Sequence, residues 1–192
     1  DRFLKTKRKE ESKMNNKKTV RLAKMAMLVA ISVVLAYFVH WPIIPGLNFL
    51  EYDPADISIF IGTFAFGPLG GFVLTVITSL IQGFTVSAGS GGVYGIIMHI
   101  IATGTFVLVA GNIYKKHKTR KYAMIALGAG IASWVVVMFF ANLFITPLFM
   151  GVTREAVMQL MPLILLFNLI KAGVNSIVTF FLYKRISGFL HK

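Results

Sequence analysis

The sequence predicts an all-α integral membrane protein with six transmembrane helices and both termini in the cytoplasm. Three observations carry that expectation. Of the 192 residues, 56% are hydrophobic and the mean hydropathy is +0.75, more apolar surface than a soluble domain of this size can bury. The apolar residues gather in long runs. The basic residues behind the net charge of +13 gather between and beside those runs, the distribution of the positive-inside rule rather than of a nucleic-acid-binding surface.

The first 24 residues hold ten of the 20 Lys and Arg. They are too charged for a cleavable signal peptide, and no small-residue cleavage site follows the first apolar run. Residues 1–20 are therefore expected to be a basic cytoplasmic segment. Met14 is a candidate natural start, which would make residues 1–13 an extension. Residues 21–190 are expected to form one six-helix membrane domain. Its apolar segments lie at about 22–39, 57–67, 69–87, 92–114, 122–147 and 158–183. The second is short for a span of roughly 20 residues, and 57–82 could instead be one helix kinked at Gly67-Pro68. Charge separates the two readings. With GPLGG (67–71) as a turn, the N-terminal cluster, KKHKTRK (115–121) and the C-terminal cluster share one side, which places 18 of 20 basic residues in the cytoplasm. The short second helix must then be tilted or covered by neighbours.

This topology leaves 40–56, 87–92 and 149–156 outside, with four of the seven acidic residues: Glu51, Asp53, Asp56 and Glu155. The first of these loops carries three prolines and the large side chains Trp41, Leu47, Phe49, Leu50 and Tyr52. A solvated connector needs none of them, so the loop is expected to pack on something.

The stretch LLFNLIKAGVNSIV (165–178) reads as the middle of a span, yet contains Asn168, Lys171 and Asn175. At about 100° per residue these three fall within roughly 60° on the helix. Asn142, in the preceding helix, can face the same space. Carboxamides and an ammonium suit a neutral planar ligand edged with carbonyls and ring nitrogens. The alternatives are helix–helix bonding by the asparagines and a structural ion pair of Lys171 with Asp56. In the first helix, Ala26 and Ala30 stand four apart and let another helix approach closely.

Catalytic and nucleotide motifs are missing. There is no phosphate-binding loop, no H-E-x-x-H and no G-x-S-x-G. Cysteine is absent, and the four histidines are scattered along the chain, so neither an enzyme nor a metal centre is expected.

A first helix with Ala-x-x-x-Ala, a loop NFLEYDPADI (48–57) and a last helix with Asn-x-x-Lys-x-x-x-Asn together resemble the S components of energy-coupling factor (ECF) vitamin transporters. Among these, the riboflavin-specific ones of Gram-positive bacteria are most similar. The resemblance spans about residues 18 to 190, and the loop motif is its most specific element. It implies high-affinity capture of riboflavin, or of FMN, from outside, with no cofactor. It also implies partnership with a membrane coupling subunit and two cytoplasmic ATPases, which explains the missing nucleotide motif. By that resemblance Ala26 and Ala30 meet the coupling subunit, and the loop at about 43–55, with Leu50 and Tyr52, caps the vitamin. Asn142, Asn168 and Lys171 match positions expected to bond the flavin ring, with Asn48 and Asn175 as further candidates. The implied location is the cell membrane, multi-pass. Two other readings stay open: an ion- or proton-coupled transporter using Lys171 and Asp56 as a relay, and a scaffold whose polar stripe only sets helix packing.

Overall fold

The computed structural model describes residues 2–47, 49–88 and 91–190. These form α1 (Arg2–Phe38), β1 (Trp41–Pro42), β2 (Glu51–Tyr52), α2 (Ala55–Phe66), α3 (Pro68–Phe84), α4 (Gly92–Lys116), α5 (Arg120–Met150) and α6 (Arg154–Leu190).

Helix α1 contains neither Gly nor Pro, so its basic first half and apolar second half run on as one helix. It stops before the proline-rich loop. The expected GPLGG turn is shorter than the sequence suggests. Only Gly67, at φ 86°, lies outside a helix, a backbone region that glycine enters freely. Pro68 takes the first turn of α3, where its missing N–H matters least. The Thr119 hydroxyl accepts from the Tyr122 N–H to cap α5, and the Thr153 hydroxyl accepts from the Ala156 N–H at the start of α6. Between these helices Gly151, at φ 65°, ends α5 in the left-handed conformation.

Four described helical stretches are long and apolar enough to cross a membrane: Met14–Phe38, Gly92–Lys116, Arg120–Met150 and Arg154–Tyr183. Helices α2 and α3, of 12 and 17 residues, reach only about 18 and 26 Å at 1.5 Å per residue. Helix α2 is wrapped by α1, α3, α4 and α6, and every residue from Ala55 to Phe64 is buried. Its surroundings are therefore protein on every side.

The core is aromatic where α2, α4 and α5 meet. Phe60 stacks on Phe106 with centroids 3.8 Å apart, and Phe106 meets the edge of Trp134. At the far end Phe64, Tyr114 and Tyr183 cluster, with the two tyrosine hydroxyls bonded to each other. Glycines set the closest approaches. A Cβ on Gly111 of α4 would lie 2.8 Å from the Pro68 Cα and 2.9 Å from the Thr63 methyl, whereas one on Gly128 of α5 would meet nothing within 4 Å. Gly111→Ala should therefore lower stability by ~1–3 kcal/mol through forced separation of α4 from the α2–α3 junction. Gly128→Ala should be neutral or slightly stabilising. Thermal unfolding of both variants in detergent measures the contrast, and equal melting temperatures would show that the junction yields without cost.

Candidate functional site

The loop between α1 and α2 folds across one end of the bundle as a lid. Its ends are joined by a two-residue antiparallel ladder, Trp41 opposite Tyr52 and Pro42 opposite Glu51. The all-α expectation omits this ladder, because two residues carry no readable alternation. The lid's apolar side chains pack inward. Leu50 and Tyr52 are buried with Val157, Met161, Ile164 and Phe167 of α6, and Ile43, Ile44, Leu47 and Phe49 lie around them. The lid thus rests on α6, well beyond its own helix ends.

A charge pins it there. Lys171 Nζ lies 2.7 Å from Asp53 Oδ2, with both side chains mostly buried, and it also donates to the Glu51 carbonyl at 3.4 Å. Asp53 is in turn fixed by its other oxygen, which accepts from the Ala55 N–H. Of the alternatives left open by the sequence, an ion pair of Lys171 with Asp56 is not the one formed: the carboxylate that Lys171 meets is Asp53. Asp56 lies inside α2 and faces α4, where His99 Nε2 lies 2.9 Å from Oδ1 and the Thr103 hydroxyl donates to the same oxygen at 2.8 Å. His99 Nδ1 then meets the Ser79 hydroxyl of α3 at 2.9 Å.

Asn175, one turn beyond Lys171, binds the hinge of the lid. Its Nδ2 donates to the Asp53 carbonyl at 3.2 Å and to Asp56 Oδ2 at 3.4 Å, and its Oδ1 accepts from the Tyr52 hydroxyl at 3.0 Å. Burial pushes the Tyr52 hydroxyl above its ordinary pKa and the Asp53 carboxylate adds to the effect, so Tyr52 remains a donor at neutral pH.

Beneath the lid lies a cavity of about 140 Å³. Leu50, Asn142, Asn168 and Lys171 line it, as do Phe49, Tyr94, Trp134 and Phe167. Tyr52 and Asn175 do not; they bond each other beside it. Asn48 lies outside the described residues. Ala26 and Ala30 are exposed on the outer face of α1, away from the cavity.

The asparagines are held in position. Asn168 Oδ1 accepts from Trp134 Nε1–H at 2.7 Å while its Nδ2 donates to the Ile164 carbonyl. Asn142 Nδ2 donates to the Met138 carbonyl, and its Oδ1 accepts from the Thr146 hydroxyl, which also meets the Tyr94 hydroxyl. Each carboxamide still has an N–H and a lone pair for a ligand. Sequence reasoning missed Ser79, Gln82 and His99 in the lining. Gln82 is the most telling, because its Nε2 is buried with no hydrogen-bond partner among the described residues. Such an orphan donor costs ~1–3 kcal/mol, which a ligand acceptor would recover. A glutamine inside an apolar helix was the available signal.

The Lys171–Asp53 pair yields a stability test. Lys171→Met strands the Asp53 carboxylate and should cost ~3 kcal/mol in the ligand-free protein, the low end for a broken buried pair because both groups keep some exposure. Adding Asp53→Asn should recover most of that loss. Melting temperatures of the two single variants and the double variant form the cycle; additive losses would mean that the pair contributes nothing as a pair.

Comparison with known proteins places this architecture. The sequence model of the family described as "ECF transporter, substrate-specific component" matches residues 20–183. Riboflavin transporter RibU of Staphylococcus aureus is 29% identical over 187 residues, covering 94% of this chain and 97% of that protein. Riboflavin transporter RibU of Streptococcus thermophilus is 26% identical over 182 residues, covering 91% and 86%. A solved S component of a bacterial ECF transporter superposes with a TM-score of 0.77 at 28% identity, covering 91% of this chain and 99% of that one. A lidded bundle over a polar cavity belongs with these proteins: the chain is a member of the family of substrate-specific components of ECF transporters.

Proposed function

We propose that this chain captures riboflavin under its lid and delivers it across the cell membrane as the S component of an ECF transporter. The observation that carries the reading is the cavity. Aromatic and methionine side chains suit the faces of a flavin ring, and the carboxamides of Asn142 and Asn168 complement an edge of alternating carbonyl and N–H groups. The orphan donor on Gln82 and the nearby Ser79 and His99 suit the hydroxyls of a ribityl chain. Near-full-length similarity to proteins named riboflavin transporters supports the same ligand.

In this reading α2 and α3 are the second and third of six crossings, hidden among longer neighbours. Both termini and KKHKTRK face the cytoplasm, as the clustering of 18 of 20 basic residues favours, and the lid faces outside. A membrane coupling subunit and two ATPases supply the energy. The exposed Ala26 and Ala30 offer the coupling subunit a surface that a helix can approach closely.

Two experiments test this. Titration of purified protein by flavin fluorescence quenching should show tight binding of riboflavin, with FMN measured alongside. Gln82→Leu should weaken riboflavin binding about tenfold without lowering the melting temperature of the ligand-free protein. Failure of the wild type to quench flavin fluorescence would sink the ligand assignment. Separately, Ala30→Trp should bind riboflavin normally but lose uptake in cells, because a bulky side chain blocks helix approach on a face remote from the cavity. Wild-type uptake by that variant would remove Ala30 from the partner surface.

A further inference from the structure

The end of the bundle opposite the lid holds a second cavity, of about 430 Å³. It lies where the α2–α3 junction meets α1 and the last turn of α4. Among the described residues its walls carry three cationic side chains, Arg21, Lys115 and Lys118, and no carboxylate. Arg21 is held in place: its Nη2 donates to the Phe66 carbonyl at 3.2 Å, and its guanidinium lies 5.7 Å from the centre of the Phe66 ring.

The chain has little with which to neutralise this cluster. No Asp or Glu occurs from residue 57 to 154, or after 155. Glu10 and Glu11 share α1 with Arg21, but at least ten residues away, about 15 Å along the axis. Glu51, Asp53 and Asp56 are at the lid end. Part of the charge answers the C-terminal dipole of α4, whose last turn contains Lys115 and Lys116. That accounts for neither Lys118 nor Arg21. The same walls carry apolar groups facing outward, Leu69 at 75% and Leu108 at 36% exposure. One anchored arginine and two exposed lysines beside outward-facing leucines, where apolar helices end, match an amphiphile with an anionic head and acyl tails.

We propose that this cavity binds the phosphate of an anionic phospholipid, with Arg21, Lys115 and Lys118 around the headgroup and the acyl chains running past Leu69 and Leu108. The site is remote from the flavin cavity and does not depend on which solute that cavity takes.

The test uses the full chain in detergent with added phosphatidylglycerol, phosphatidylcholine or inorganic phosphate, read by native mass spectrometry and by melting temperature. Phosphatidylglycerol should bind and stabilise the wild type in preference to phosphatidylcholine. The double variant Lys115→Gln/Lys118→Gln should bind phosphatidylglycerol roughly 10- to 30-fold more weakly. Lys5→Gln/Lys9→Gln removes the same charge at least twelve residues from Arg21 along α1, about 18 Å on the axis, and should keep wild-type binding. Lys115→Arg/Lys118→Arg should keep it too, which separates lost charge from lost fold. Equal weakening by the two glutamine pairs would mean diffuse attraction, and unchanged binding in both would empty the site; either overturns the proposal. Stabilisation by inorganic phosphate to which phosphatidylglycerol adds nothing would make the occupant a soluble phosphate and overturn the lipid assignment.

Discussion

One buried charge organises the ligand end of this protein. An ammonium in the middle of an apolar helix is unfavourable unless it meets an opposite charge. Lys171 meets Asp53, which α6 does not carry; it comes from the lid, more than a hundred residues earlier in the chain. Satisfying the lysine therefore means closing the lid on α6. Asn175 repeats the constraint one turn along, gripping Tyr52, Asp53 and Asp56 together. The loop's prolines and aromatics then make sense as the parts of a stiff cover with an apolar underside.

A second polar chain runs through the bundle interior and ties four helices together. Ser79 of α3, His99 and Thr103 of α4, Asp56 of α2 and Asn175 of α6 form one hydrogen-bonded series. Ser79 and His99 also line the cavity, so a ligand touching His99 is two hydrogen bonds, and one touching Ser79 three, from Asn175, which holds the lid hinge. This gives capture a physical route to closure. It also explains why a short central helix is retained: α2 presents Asp56 to neighbours on several sides only because all its sides are covered.

Three regions of the bundle do different work in the proposed reading. The lid end takes a neutral, aromatic solute into a space with fixed amide groups. The outer face of α1 offers small side chains to a partner helix. The opposite end concentrates positive charge around a cavity with a greasy rim. Between the two ends lies an aromatic core of Phe60, Phe106 and Trp134, the last of which also lines the cavity under the lid. The core also sets the ligand site, because the Trp134 indole N–H orients Asn168.

The sequence by itself determined the helices and the character of the site. Apolar runs and basic clusters are local properties, so α1 to α6 were legible to within a few residues at most ends, and the turn at Gly67 was legible as a break though not as a single residue. The stripe at 168, 171 and 175 was legible because helical periodicity puts those side chains on one face. Periodicity does not say what the face meets. Only the tertiary structure separated Asn168 and Lys171, which line the cavity, from Asn175, which holds the hinge. It alone chose Asp53 over Asp56 for the lysine, since two carboxylates three residues apart look alike until α2 begins between them and turns one toward α4. It alone brought in Gln82, Ser79 and His99: an isolated polar residue in a helix has no local pattern, and its role depends on neighbours that are distant in the chain.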